Sequence, residues 1–353
     1  MLVRGKFEPV ARLGLLDFEI RVVETVPDVM GIGHTTQATA IIFAGKLAGF
    51  DHEVRNVLIS NGIKILAFPG CVADEFGATL VNGVSDLKEA LSAEPPAPIE
   101  EFAGRMISIW GPIGAPGRTT IAINLAAEWR NESVLLIDAD SYGAAVGQHL
   151  NLLDEVSGIL AATRAATQGR LTSVRDFAIE IDQNWSVLTG LPRPDLWRSV
   201  RPVAWREVLS KSLSEYQIVL VDVGFCFENE QFDVEIIHRN HMTISALAKS
   251  ESVLAVGGSD PIALARLIRE LNALEDVCPD LPISILINGH DNDLGFSERE
   301  VMRTVTSLAK RSPVALLPRD DLVRQGLARG VTAGEVAPRS AFRQAIVQLA
   351  ATL

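Results

Sequence analysis

The chain has 353 residues, 48% of them hydrophobic, and a formal net charge of −12. This length suggests two domains with sizeable cores, and the acidic balance argues against a large nucleic-acid interface, which needs clustered lysine and arginine. No apolar run reaches the roughly 20 residues that span a bilayer, and the charged N-terminus is unlike a signal peptide. We therefore expect a soluble, cytoplasmic protein.

Strand-like and helix-like segments alternate in the first 92 residues. Strands are predicted over 19–26, 38–43, 63–68 and 79–81, with helices over 52–61 and 85–91. A further first strand is either the short segment 1–4 or missing. This alternation predicts a small flavodoxin-like, doubly wound α/β domain over residues 1–92.

A change of composition follows that domain. Residues 93–104 contain three prolines and three glutamates, with little to bury. Such a segment is typical of a linker. We therefore expect a second domain over residues 105–353.

A glycine-rich loop opens the second domain. Residues 106–110 read as a strand, residues 111–120 read GPIGAPGRTT, and apolar residues at helical spacing follow. Strand, loop and helix in this order are the context of a phosphate-binding P-loop. Gly117 and Thr119 match the pattern GxxxxGK[ST], whereas Arg118 replaces the lysine and Pro112 the first glycine. The loop alone leaves two readings open, nucleotide binding or a turn that only keeps the shape.

Backbone N–H groups of such a loop cradle phosphates, and its hydroxyl side chain holds Mg²⁺. Arg118 keeps a positive charge and can bind phosphate with two N–H groups, but its planar group differs from a compact ammonium. Binding is therefore expected to tolerate this change better than hydrolysis. The candidate phosphate-binding residues are Gly114, Ala115, Pro116, Gly117, Arg118, Thr119 and Thr120.

Two later apolar strands end in carboxylates. Residues 134–140 end in Asp138 and Asp140, and residues 218–222 end in Asp222. Ligands bind at the carboxyl ends of strands in open α/β sheets. Each aspartate alone could equally be a helix cap, but loop, Asp-x-Asp strand and Asp-ended strand in this order favour a P-loop site.

From about Ile107 to the C-terminus the chain resembles the CpaE/TadZ branch of the MinD/ParA P-loop ATPases, proteins of septum-site determination and pilus assembly. The resemblance rests on the loop, the Asp138–Asp140 segment and several weaker motifs. The MinD/ParA group carries the loop KGGxGKTT, and this sequence departs from it at both lysines, with Ile113 at the first and Arg118 at the second. The weaker motifs are residues 187–192, Asn288 in Ile-Asn-Gly, Leu317-Pro-Arg-Asp320, and Gly330 with Ala337-Pro338.

The resemblance implies a doubly wound, mostly parallel sheet that binds ATP or ADP with Mg²⁺. Thr119 would contact the metal, with Asp138 and Asp222 near it through water, and Asp140 would orient the attacking water. Asn288 would contact adenine, with Pro318 in the same pocket. For Asn288, a strand-end turn with Gly289 is a nearly equal alternative.

The resemblance also implies a homodimer. In the family the first lysine reaches across the dimer to the partner's nucleotide, which Ile113 cannot do. The expected function is therefore a localisation or assembly factor for a pilus, a secretion machine or a septum site. It would act by ATP-biased dimerisation with weak or absent hydrolysis, recruited to a cell pole or septum by protein partners. The alternative is an active ParA-type partitioning ATPase that binds DNA non-specifically.

The first domain resembles the atypical receiver domain that precedes the ATPase in this branch. A receiver needs an aspartate at the end of its third strand to accept phosphate, whereas Phe43, Ala44 and Gly45 stand there. We therefore expect a docking or dimerisation module that is not phosphorylated.

Overall fold

The computed structural model describes residues 1–15, 17–34, 38–50, 54–55, 58–59, 62–71, 78–92, 104–115, 117–152, 156–228, 238–291 and 295–353. The chain divides into two compact units, which we describe separately. The first is Met1–Glu101 with Thr167–Arg170, and the second is Phe102–Ala166 with Leu171–Leu353. Except for Gly104, the predicted linker lies outside the described residues.

The first unit contains a five-stranded parallel sheet. Its strands are β1 (Leu2–Val3), β2 (Val22–Val23), β3 (Ala40–Phe43), β4 (Lys64–Ala67) and β5 (Thr79–Leu80), and its helices are α1 (Glu8–Gly14), α2 (Val26–His34) and α3 (Val84–Ser92). The strand order is β2-β1-β3-β4-β5, which is the flavodoxin-like order. The first strand is thus the short one at the N-terminus. The predicted helix over 52–61 lies largely outside the described residues.

Two glycines meet at the carboxyl ends of β1 and β3, the point where doubly wound sheets of this order bind ligands. A Cβ atom on Gly5 would lie 2.2 Å from the Ala44 carbonyl oxygen, and one on Gly45 would lie 2.2 Å from the Arg4 carbonyl oxygen. Only glycine permits this approach. The backbones that follow β1 and β3 therefore lie in direct contact at this point.

The second unit is built on an eight-stranded sheet of order β13-β12-β11-β6-β10-β7-β9-β8. All its paired strands are parallel except β8 and β9. The strands are β6 (Arg105–Trp110), β7 (Val134–Ala139), β8 (Ile179–Glu180), β9 (Trp185–Leu188), β10 (Ile218–Val223), β11 (Ser252–Gly258), β12 (Ile283–His290) and β13 (Ala315–Pro318).

Helices cover both faces of this sheet. They are α4 (Arg118–Glu128), α5 (Val146–His149), α6 (Gly158–Thr167), α7 (Pro202–Glu215), α8 (His241–Lys249), α9 (Pro261–Val277), α10 (Glu298–Ala309), α11 (Asp321–Leu327), α12 (Ala333–Val336) and α13 (Ala341–Ala350). Alternate residues of β6 point to opposite faces, so Met106 and Trp110 join one core with α6–α10. Ile107 and Ile109 join the other, with α4, α5 and α11–α13.

The last helix packs against the core. Phe342, Ile346, Leu349 and Ala350 are buried in α13. None of the helices within the described ranges is long and apolar enough to cross a membrane.

An ion pair ties α13 to the helix that follows the loop. Arg343 Nε lies 2.7 Å from Glu128 Oε1 and its second terminal nitrogen 3.2 Å from Oε2, while the Glu128 side chain is only 8% exposed. Arg343→Ala leaves this carboxylate unpaired, so we expect a loss of about 2 kcal/mol in the free energy of unfolding. Urea denaturation measures it. Arg269→Ala, which removes an exposed pair with Glu270, should change stability by less than about 1 kcal/mol. An equal loss in both variants would contradict a stabilising role of the Arg343–Glu128 ion pair.

Candidate nucleotide-binding site

The loop between β6 and α4 has a backbone that only glycine adopts easily. Gly114 and Gly117 have φ angles of 77° and 78°, and Gly117 is the residue that precedes the first turn of α4. A Cβ atom on Gly111 would lie 2.4 Å from the Val256 carbonyl oxygen. The loop thus directs the chain into an 11-residue helix, whose first N–H groups and dipole favour an anion.

Arg118, the first residue of α4, is bound by the protein. One terminal nitrogen donates to the carbonyl oxygens of Val223 at 3.0 Å and Gly111 at 3.4 Å, and the other lies 3.3 Å from Asp140 Oδ2. The Arg118 side chain is 16% exposed and that of Asp140 12%. The guanidinium therefore joins the loop to the carboxyl ends of β10 and β7.

Asp138 and Asp222 are direct partners across β7 and β10. They are 1% and 2% exposed. Thr119 Oγ1 donates to Asp222 Oδ2 at 2.6 Å, and the Val146 N–H donates to Asp138 Oδ2 at 2.9 Å. Asp138 Oδ1 has no hydrogen-bond partner within the described part of the chain. The predicted carboxylates thus lie beside the loop hydroxyl.

Burial sets the protonation of this pair. It raises the pKa of Asp138 to about 8, with a further rise from the neighbouring Asp222 carboxylate. Burial also raises the pKa of Asp222 to about 6, although the Arg118 guanidinium and the Thr119 hydroxyl oppose the rise. Asp138 therefore holds a proton near neutral pH, which removes one of two adjacent negative charges.

The raised pKa of Asp138 makes stability depend on pH. The folded state holds a proton that the unfolded chain releases above pH about 4, so this contribution to stability is complete below that pH and is lost as pH rises toward 8. Asp138→Asn mimics the protonated acid. We therefore expect the fall in free energy of unfolding between pH 5 and pH 8 to be smaller in this variant, by at most about 1.4 kcal/mol per pH unit.

Urea denaturation of wild type and variant at several pH values measures this difference. Parallel pH profiles for the two proteins would contradict a proton on Asp138.

A cavity of about 860 Å³ opens beside the loop. Gly117, Thr120, Asn288 and Pro318 all line it, so residues that the sequence places on three different elements meet in one pocket. Asn288 lies against the loop, because a Cβ atom on Gly117 would be 2.4 Å from its Nδ2 atom. Strand β12 continues to His290 rather than ending at Gly289, with an irregular register between Ile287 and His290.

The loop around Ala115 contains a tight turn and accepts a hydrogen bond from α9. Ala115 closes a turn through its N–H, which donates to the Pro112 carbonyl oxygen at 2.9 Å, whereas Pro116 lies outside the described residues. Ile113 is 56% exposed. Arg266 of α9 donates to the Ile113 carbonyl oxygen at 3.5 Å. Arg266 therefore places a positive charge beside the loop, and no motif in the sequence indicates this contact.

Asp140 is fully engaged within the protein. Its Oδ1 atom accepts the N–H groups of Tyr142 at 2.8 Å and Gly143 at 3.2 Å, and its Oδ2 atom contacts Arg118. The Tyr142 hydroxyl donates to Asn240 Oδ1 at 2.7 Å, and the Arg239 guanidinium lies 3.9 Å from the centre of the Tyr142 ring. No motif in the sequence indicates this network; the short Asp-x-Tyr spacing is its local signal.

The oxygen atoms at the loop suit Mg²⁺. This ion takes one or two carboxylates together with substrate phosphates and water, and the adjacent oxygens of Thr119 and Asp222 meet that need. Within the described ranges, no three His, Cys, Asp or Glu side chains cluster to hold a metal by themselves. Thr119 and Asp222 are thus the residues that could hold this ion, together with a bound phosphate.

No model of a known protein family matches the chain, and no curated protein matches it. Solved structures do. The septum site-determining protein MinD of Pyrococcus horikoshii, complexed with Mg-ADP, aligns at 20% identity and a TM-score of 0.56 over 70% of this chain and 94% of that one.

Two further structures give the same result. A ParA family ATPase from Chlorobium tepidum aligns at 19% identity and a TM-score of 0.58 over 71% of this chain and 100% of that one. A chain of the MinC:MinD cell division protein complex of Aquifex aeolicus aligns at 17% identity and a TM-score of 0.56 over 70% of this chain and 95% of that one. The chain thus has an α/β fold that matches MinD/ParA P-loop ATPases.

Proposed function

We propose that the chain binds ATP and ADP at the loop and acts through nucleotide-biased assembly with little hydrolysis. The observation that carries this proposal is the loop before α4, in which Gly114 and Gly117 have left-handed backbone angles. It lies beside a cavity lined by Gly117, Asn288 and Pro318. A glycine loop that opens a helix binds phosphate through backbone N–H groups. The adjoining cavity is large enough for a nucleoside.

In this proposal the backbone from Gly114 to Thr120 binds the phosphates. Thr119 and Asp222 hold Mg²⁺, which neutralises phosphate oxygens when bound. Asp138, next to Asp222, contributes through water. Asn288 and Pro318 contact the base. Support for these roles comes from the placement of all these groups around one loop.

We expect slow hydrolysis because the charged side chains at the loop are already hydrogen-bonded within the protein. Both oxygens of Asp140 are hydrogen-bonded within the protein, so this carboxylate is poorly placed to orient water. Arg118 is bound to three protein acceptors, and the exposed Ile113 brings no charge to a partner. The site retains a cradle for phosphate while its hydrolytic groups are altered or occupied.

We further propose a role like that of CpaE/TadZ proteins. The chain would form a homodimer and, with protein partners, place a pilus, a secretion machine or a division complex at a pole or septum. The solved structures with this fold include a septum site-determining protein and a MinC:MinD complex, which supports a positioning role in general terms. The first unit, receiver-like in strand order and without a phosphate-accepting aspartate after β3, would serve as a docking or dimerisation module.

Turnover and assembly together test this proposal. We expect ATP hydrolysis far below about 1 s⁻¹, the low end of ordinary enzymes, and a larger share of dimer by light scattering when ATP is present. Arg118→Ala should leave this low rate nearly unchanged, because Arg118 is engaged by the protein. A rate of ordinary size that is lost in Arg118→Ala would contradict the proposal.

A partitioning ATPase is the second candidate. The observation that favours it is a group of exposed arginines around α7, namely Arg193, Arg198, Arg201 and Arg206. An ATP-dependent DNA mobility shift that weakens steeply with salt would support this function. We expect no such shift, since the chain carries a net charge of −12.

A further inference from the structure

The Arg118–Asp140 pair lies at the ends of β10 and β7, whereas the cavity is lined by residues of β11, β12 and β13, which follow β6 on its other side in the sheet. Arg118 reaches the carboxyl ends of β10 and β7 through Val223 and Asp140. These three residues do not line the cavity, whereas Gly117 and Thr120 of the loop do. If a nucleoside occupies the cavity, its phosphate chain runs through the loop toward the ion pair. The end of a longer phosphate chain therefore meets Arg118 and Asp140.

A carboxylate and a phosphate compete for the same guanidinium. Both are planar or forked oxygen acceptors that arginine binds with parallel N–H groups. Arg118 already donates to Asp140 and to two carbonyl oxygens, and its side chain is only 16% exposed. A terminal phosphate that enters there competes with Asp140 for the Arg118 guanidinium and brings a second negative charge next to this carboxylate.

We propose that Asp140 is a specificity-determining residue, which positions Arg118 so that the site selects nucleoside diphosphates over triphosphates. The inference rests on the nucleotide binding proposed above. The diphosphate ends within the loop, whereas the triphosphate extends one more charged group toward Asp140 and competes with it for Arg118. ATP-driven assembly then requires a high ratio of ATP to ADP.

Asp140→Asn tests this directly. The asparagine oxygen still accepts the N–H groups of Tyr142 and Gly143, so the turn is kept, while the charge that holds Arg118 is removed. Affinities for ADP and for a non-hydrolysable ATP analogue are measured with Mg²⁺ on the full chain by competition with a fluorescent nucleotide. We expect wild type to bind ADP about tenfold more tightly, and Asp140→Asn to reduce this ratio toward one.

Two controls separate positioning from general electrostatics. Asp260→Asn removes a carboxylate at the cavity but keeps the helix cap that this side chain makes to Ile262 and Ala263. It should change both affinities by the same factor. In an Arg118→Ala background, Asp140→Asn should alter the ratio less than it does beside Arg118, because the two residues are coupled.

The possible outcomes are distinct. An equal effect of Asp140→Asn on both nucleotides, or tighter binding of the triphosphate by wild type, would overturn the inference and leave the proposed function standing. If the wild-type protein binds neither ADP nor the ATP analogue, although its melting temperature shows that it is folded, the inference and the proposed function are both overturned.

Discussion

Gly117→Ala is expected to weaken ADP binding by at least about tenfold. The φ angle of 78° places Gly117 in the left-handed region, where a Cβ atom costs about 1–2 kcal/mol. The added carbon would also lie 2.4 Å from Asn288 Nδ2. The variant therefore narrows the phosphate cradle and displaces the amide that faces the base, so both ends of the nucleotide lose contacts. Competition with a fluorescent ADP measures the loss.

Gly143→Ala is the matched control. This glycine follows Asp140 by three residues, yet no atom of the described residues lies within 4 Å of its added Cβ, and its φ angle is not left-handed. Its stability and ADP affinity should remain close to those of wild type. If both substitutions lower the affinity equally, the loop geometry is not the cause.

Trp205→Ala is expected to cost about 3–5 kcal/mol in the free energy of unfolding, the usual loss for a large aromatic side chain in a core. Trp205 is fully buried among the apolar residues that α6–α10 pack on the sheet, and its indole N–H donates to the Met242 carbonyl oxygen at 3.0 Å. The substitution leaves a cavity and removes this hydrogen bond between α7 and α8. Urea denaturation monitored by circular dichroism measures the loss.

Leu322→Ala serves as the comparison for this variant. Leu322 lies in α11 and is 52% exposed, so its truncation should change stability by less than about 1 kcal/mol. A small effect of Trp205→Ala, close to that of Leu322→Ala, would contradict the packing of α7 and α8.

The elements that carry the site follow directly from local sequence. Residues 106–110, 134–140 and 218–222 are mostly apolar, which is typical of strands buried on both faces. The structure has strands at these places, over Arg105–Trp110, Val134–Ala139 and Ile218–Val223. Asp138 and Asp222 end such runs, which places them at the ligand-binding edge. Helix α13 and its buried face can also be predicted from the sequence, because Phe342, Ile346, Leu349 and Ala350 recur with the helical period.

Other features depend on contacts that no local pattern contains. The predicted strand 19–26 is only Val22–Val23, since its length depends on its pairing with the two-residue β1. Arg118 and Asp140 are 22 residues apart, Tyr142 and Asn240 are 98 apart, and Arg266 and Ile113 are 153 apart. These contacts depend on the order of strands, which a motif does not encode. For the same reason, the pairing of Arg118 with Asp140 was beyond sequence reasoning.

Calorimetric titration of the full chain with ADP and Mg²⁺ tests the central claim most directly, because it detects binding without turnover or a label. We predict a saturable isotherm with one site per chain, and no isotherm with adenosine alone at the same concentrations, since the loop binds phosphate. No heat of binding with ADP, or equal binding of adenosine and ADP, would contradict a phosphate-binding function of the loop.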